Sequence, residues 1–142
     1  MSEGKVFIDT NILIYAYDSS AGNKHGVASR QVEELWRSES GLLSMQVLQE
    51  FYVNITRKIA RPLTITVARS LVEDLARMEV VTVGSDAILS AIDVQREYMI
   101  SFWDAMIVTA AFIGGAEVLL TEDLNNGQII KGVKIQNPFI SN

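Results

Sequence analysis

The chain has 142 residues, 49% of them hydrophobic and 20% charged, which suits one globular domain over 1–142 and excludes a disordered chain. It has no cysteine, so disulfides, thiolate zinc sites and a cysteine nucleophile are excluded, and one histidine cannot support a two-histidine ribonuclease mechanism. The net charge of −5 argues against generic nucleic-acid binding through a basic surface, although an acidic protein can bind RNA where bound cations offset its charge.

Val6-Phe7-Ile8 is a continuous apolar run of β-favouring residues that predicts a strand buried on both faces of a parallel sheet. It ends at Asp9-Thr10-Asn11, where Thr10 or Asn11 can cap a helix beginning near Ile12. Gly22 to Ser40 carries Val27, Val32, Leu35 and Trp36 among polar residues and predicts an amphipathic helix. Leu42-Leu43-Ser44 predicts a second strand, with Ser44 placed to cap the next helix, Met45 to about Ala60. In that helix Val47, Leu48, Phe51, Ile55 and Ile59 form one apolar stripe, and Pro62 disfavours helical geometry at Arg61.

Thr64 to Met78 predicts a further amphipathic helix, and Val80 to Val83 a third strand. Ser85 or Asp86 caps a helix running to Glu97, and the almost wholly apolar Trp103 to Ile113 predicts a buried helix closed by Gly114-Gly115. Val118-Leu119-Leu120 predicts a fourth strand and Val133-Lys134-Ile135 a fifth. Strands alternating with helices imply an α/β domain with a mainly parallel sheet. The low-charge run Tyr98 to Ala116 is too short and mixed for a membrane span, and the N-terminus carries no secretory signal, so a cytoplasmic protein is expected.

Ligands of open α/β sheets bind beyond the carboxyl ends of the strands. Asp9 follows the first strand, Asp123 follows the fourth, Asp104 opens the apolar helix, and Glu50 lies in the first two turns after the second strand. Taken singly, an Asp after a strand is ordinarily a turn or cap residue, and Glu50 an ordinary solvated helix residue. As a set they supply oxygen-only ligands at one rim, which suits Mg2+ or Mn2+. The helix phase of Glu50 sets it with Asn54 and Arg57, away from the apolar stripe, and Asp104 is an isolated charge beside much apolar sequence.

The runs Val6-Phe7-Ile8-Asp9-Thr10-Asn11, Glu50-Phe51, Phe102-Trp103-Asp104-Ala105 and Leu119-Leu120-Thr121-Glu122-Asp123, in that order over nearly the whole chain, resemble the PIN domain family. Within it the chain is most similar to the VapC-type toxins of prokaryotic toxin–antitoxin pairs. The resemblance implies a mainly parallel five-stranded sheet flanked by helices on both faces, a magnesium- or manganese-dependent ribonuclease, an antitoxin protein as partner and a homodimer. It makes Asp9, Glu50, Asp104 and Asp123 the catalytic, metal-binding quartet, with Asn11 and Thr121 at positions that orient it. Many members carry a further acid two residues beyond the fourth; here that place is Asn125, which weakens any second metal position. Glu122 is expected to point away from Asp123 in an extended segment.

A catalytically silent PIN-like module that binds RNA or protein is the alternative; four retained like charges count against it. A receiver domain needs adjacent acids near the first strand and a late lysine, and a haloacid-dehalogenase-type phosphatase needs Asp-x-Asp where this chain has Asp9-Thr10-Asn11. His25, in a polar stretch outside the motifs, reads as a surface residue, and Tyr15, Tyr17, Trp36 and Phe112 as core or dimer-interface residues.

Arg57 and Lys58 close the Glu50 helix, where cations are favourable in any case and where they can also extend a phosphate track from the acidic site. If they form such a track, Arg57→Ala weakens single-stranded RNA binding and lowers the slope of log affinity against log salt by about 0.7. Filter binding over a range of KCl concentrations measures both, and an unchanged slope removes Arg57 from the track.

Overall fold

The computed structural model describes residues 4–140. Its elements are β1 (Lys5–Ile8), α1 (Thr10–Tyr17), a 3-10 turn (Ser19–Ala21), α2 (Asn23–Ser38), β2 (Gly41–Ser44), α3 (Met45–Arg57) and α4 (Ile65–Leu75). They continue with β3 (Glu79–Val81), α5 (Asp86–Tyr98), α6 (Phe102–Ile113), β4 (Ala116–Leu120), β5 (Ile129–Ile130) and β6 (Val133–Gln136). The sheet order is β3-β2-β1-β4-β6-β5. Every pairing is parallel except β5 with β6.

In the central strands adjacent residues are both buried: Phe7 and Ile8 in β1, Leu42 and Leu43 in β2, Leu119 and Leu120 in β4. Successive strand residues face opposite sides, so helices must cover both faces of the sheet. Val47, Leu48, Phe51 and Ile55 are the buried stripe of α3, and α6 buries Ala105 and the run from Ile107 to Ala111. Tyr15 and Tyr17 pack against this core, whereas Trp36 and Phe112 stay substantially exposed. No helix among the described residues is long and apolar enough to cross a membrane.

Three expectations are corrected. The sheet has six strands rather than five, because Ile129–Ile130 adds a two-residue antiparallel strand at the edge. It turns back into β6 through Lys131 and Gly132, both at positive φ (50° and 78°), a conformation that suits a tight hairpin. The cap of α1 is Asp9 itself, not Thr10 or Asn11, so the helix begins two residues earlier than expected. His25 is half-buried, its Nδ1 2.9 Å from the carbonyl oxygen of Tyr15.

The parallel register brings one set of strand ends together. Ile8 pairs with Leu120, Phe7 with Leu42, and β2 runs directly into α3. The chain leaves β1 towards β2 and β3 on one side, then returns through α6 to lay β4 on the other. The carboxyl ends of β1 and β4 therefore flank the point where the strand order reverses, where such sheets open a crevice.

Gly114 and Gly115 end α6 for different reasons. Gly115 adopts φ +78°, while Gly114 has an ordinary backbone but no room: a Cβ there would lie 2.6 Å from Val81 Cγ2 and 3.1 Å from Leu42 Cδ1. Gly114→Ala is expected to lower stability by roughly 1–3 kcal/mol through overpacking. Urea denaturation checks this, and an unchanged midpoint would show that α6 can withdraw from β2 and β3 without penalty.

Candidate functional site

Asp9 caps α1 and is only 5% exposed. Its N–H donates to the Leu120 carbonyl at 3.0 Å, fixing it to the end of β4. One carboxylate oxygen accepts from the Thr10 N–H at 2.7 Å, and the other from the Thr121 hydroxyl at 2.8 Å. Thr121 is fully buried and saturated: besides donating to Asp9, its oxygen accepts from the Asp123 N–H at 3.1 Å and from Asn11 Nδ2 at 3.4 Å.

Asn11 Nδ2 also donates to Asp123 Oδ2 at 2.9 Å, which holds an otherwise exposed carboxylate over the carboxyl end of β4. Across the crevice the Thr10 hydroxyl donates to Glu50 Oε1 at 2.7 Å, and Gln46 Nε2 lies 3.4 Å from the other oxygen. Asp104 stands in the first turn of α6, its N–H donating to the capping Ser101 hydroxyl at 3.1 Å. Position in that turn favours its negative charge.

All four acids line one open cavity of about 230 Å³, together with Thr10, Asn11, Ile14, Gln46, Asn54, Trp103 and Ile107. No Lys, Arg or His lines it, and none of the ion pairs among the described residues includes any of the four. The electrostatic consequence is visible at Asp9, whose carboxyl is pushed up to about 7. Burial is the main cause, reinforced by the charges of Asp123 and Asp104 and opposed by the bonds from Thr121 and Thr10. Asp104 is also raised, by burial and then by Asp123 and Glu50, against the hydrogen bond to Ser101.

The donor chemistry fits a hard divalent ion. Carboxylates of one sign surround a cavity without a balancing cation, and Asn11 Oδ1 is a buried oxygen with no hydrogen-bond partner. Among the described residues no three acidic or histidine side chains are gathered tightly enough to enclose an ion by themselves.

The site thus brings Asp9, Glu50, Asp104, Asp123, Asn11 and Thr121 together. Arg57 and Lys58 are exposed and do not line the cavity, although Asn54, one turn nearer, does. Asn125 is likewise exposed and outside it. Glu122 turns away from the cavity, accepting from the Tyr15 hydroxyl and pairing with Lys24 at 2.7 Å, although the segment bends after β4 instead of staying extended as expected. Sequence reasoning missed the Thr10–Glu50 bond, Gln46 and Ser101. Gln46 stands one helical turn before Glu50 and Ser101 three residues before Asp104, so both had a local signal, whereas Thr10 and Glu50 meet only through the tertiary fold.

A family model described as the PIN domain matches residues 6–129. No curated protein matches the chain in sequence. Solved structures with the same fold include a toxin–antitoxin complex from Klebsiella pneumoniae, 19% identical with a TM-score of 0.71 over 95% of this chain and 98% of that one. The DNA-bound VapBC of Salmonella typhimurium is 20% identical with a TM-score of 0.67, covering 96% and 99%. VapC20 of Mycobacterium tuberculosis, a toxin that cleaves the sarcin–ricin loop, is 20% identical with a TM-score of 0.62, covering 81% and 87%.

Without metal, the raised Asp9 makes stability fall as pH rises. The unfolded chain releases this proton near 3.8 and the folded chain near 7, so the folded state holds more protons between those values. The penalty is absent below about pH 4 and complete above about pH 7, reaching up to about 4 kcal/mol. In the presence of chelator, Tm should drop between pH 5.5 and pH 8, and Asp9→Asn should flatten the drop and melt higher at pH 8. Thermal scans of both proteins check this, and equal slopes would remove Asp9 as the source.

Proposed function

The chain belongs to the PIN domain family, and on that premise we propose that it is a Mg2+- or Mn2+-dependent endoribonuclease acting as the toxin of a toxin–antitoxin pair. The observation that carries this reading is the set of four carboxylates around one cavity that no positive side chain lines. Asp9, Glu50, Asp104 and Asp123 would hold the ion, directly or through water. When bound, such an ion activates water for attack on a phosphodiester and offsets charge on the phosphate.

The residues of the chain do the rest. Thr121 and the Thr10 N–H fix the two oxygens of Asp9, so that the carboxylate cannot rotate away from the cavity. Asn11 holds Asp123 and the Thr10 hydroxyl holds Glu50, both through neutral donors that add no competing charge. Ile14 and Ile107 give the cavity an apolar wall, which strengthens electrostatic contacts within it. The single histidine is outside the cavity, so no side-chain imidazole serves as base.

The partner is inferred from likeness: two structural neighbours are complexes of a toxin with its antitoxin or the equivalent VapBC pair. An antitoxin segment lying across the acidic cavity would block it, and apolar side chains left exposed along α3 and α4, including Met45, Ile65 and Val67, offer surface for a partner. A homodimer and a cytosolic location complete the reading.

Asp9→Asn and Asp104→Asn should each abolish manganese-dependent cleavage of total RNA while leaving a cooperative thermal transition. Incubation with RNA, with and without Mn2+, compares each variant with the parent. Full activity in either purified variant, with contaminating nuclease excluded, refutes the assignment.

A further inference from the structure

We propose that the Trp103 indole is a stacking platform for an unpaired RNA base beside the bond to be cut, an inference that rests on the ribonuclease reading above. Trp103 is the second residue of α6 and the immediate neighbour of Asp104, and it lines the same cavity as the four carboxylates. It is 62% exposed, although the helix it belongs to buries most of its length from Ala105 onward. Of the three large apolar residues that line the cavity, Ile107 is buried and Ile14 half-buried, which leaves Trp103 as the one with substantial exposed surface.

The ring is braced rather than loose. Phe102 meets it edge to face at a centroid distance of 5.1 Å and 73°, while Gln46 Nε2 reaches the backbone carbonyl of Trp103 at 3.5 Å and so ties the main chain, not the ring, to α3. A braced, half-solvated aromatic surface loses little conformational freedom when a flat ligand lands on it.

Charge leaves such a platform a role. The usual source of RNA affinity is a row of Lys and Arg against phosphates, and none lines this cavity. Base stacking is independent of phosphate neutralisation and tolerant of sequence, because every base has a π-face. It also selects a substrate class. An A-form duplex keeps its base faces covered, so the platform serves single strands, loops and bulges.

The test uses the full chain with Trp36→Phe, which leaves Trp103 as the sole tryptophan. In chelator, its emission is titrated with a short single-stranded oligoribonucleotide and with an abasic oligomer of equal length and charge. Quenching by the first and not the second is expected. With Mn2+, Trp103→Ala should raise KM for the single strand by roughly 10- to 100-fold with little change in kcat, and Trp103→Phe should recover most of the loss.

Equal quenching by the abasic oligomer, or cleavage by the parent with no quenching, overturns the platform and leaves the nuclease standing. Emission that shifts to the blue with protein concentration alone means that a second copy of the chain covers the indole, which also overturns it. Base-dependent quenching by a parent chain that cuts no RNA keeps the platform and overturns the nuclease reading instead.

Discussion

A carboxylate buried at the junction of β1 and α1 is the constraint around which the rest of the site is arranged. Asp9 ends a strand in the middle of the sheet, caps the helix that follows, and takes its position from the Leu120 carbonyl of the neighbouring strand. The cap stabilises α1, since a side-chain oxygen satisfies a helix N–H that would otherwise lack a partner. Its burial works in the opposite direction, because a charge at 5% exposure has lost most of its water. The folded chain resolves the conflict only partly: two hydrogen bonds lower the cost, and the charges of Asp123 and Asp104 raise it.

The parallel sheet makes this crowding unavoidable. With β2 and β4 both parallel to β1 and in register with it, the residues after all three strands emerge at one edge. Whatever follows β1, β2 and β4 must therefore share space, and in this chain those segments carry Asp9, Glu50 and Asp123. Threonine and asparagine, not lysine or arginine, connect them. A cation among four carboxylates would relieve the repulsion, but it would occupy the place of the proposed divalent ion. Neutral donors fix the geometry and leave the charge unbalanced.

The strand ends and helix phases were legible because each is encoded within a few residues. Ile8-Asp9 and Leu120-Thr121 are apolar-to-polar steps, and Glu50 falls off the Val47–Phe51–Ile55 stripe by simple periodicity. The two-residue β5 was not legible: Ile129-Ile130 is too short to carry a period, and its turn uses Lys131-Gly132 rather than an Asn-Gly pair. The identity of the α1 cap was misjudged for a different reason. Asp9, Thr10 and Asn11 are all capping types, and the choice among them is made by a strand 112 residues away, through Thr121.

Asp123 and Glu122 show how partner chemistry, more than residue type, separates a site acid from a structural one. They are adjacent, identical in charge, and carried by the same bend after β4. Glu122 reaches the Tyr15 hydroxyl and the Lys24 ammonium, which itself lies over the Tyr15 and Phe139 rings at 4.9 Å and 5.4 Å. That charge is neutralised within the protein and ties α1, α2 and the C-terminal segment together. Asp123 receives only the Asn11 amide and stays uncompensated. An acid with a cation beside it has finished its electrostatic work on folding. One held in place by neutral donors, with three others around the same cavity, keeps its charge unbalanced, which is what the proposed metal site would use.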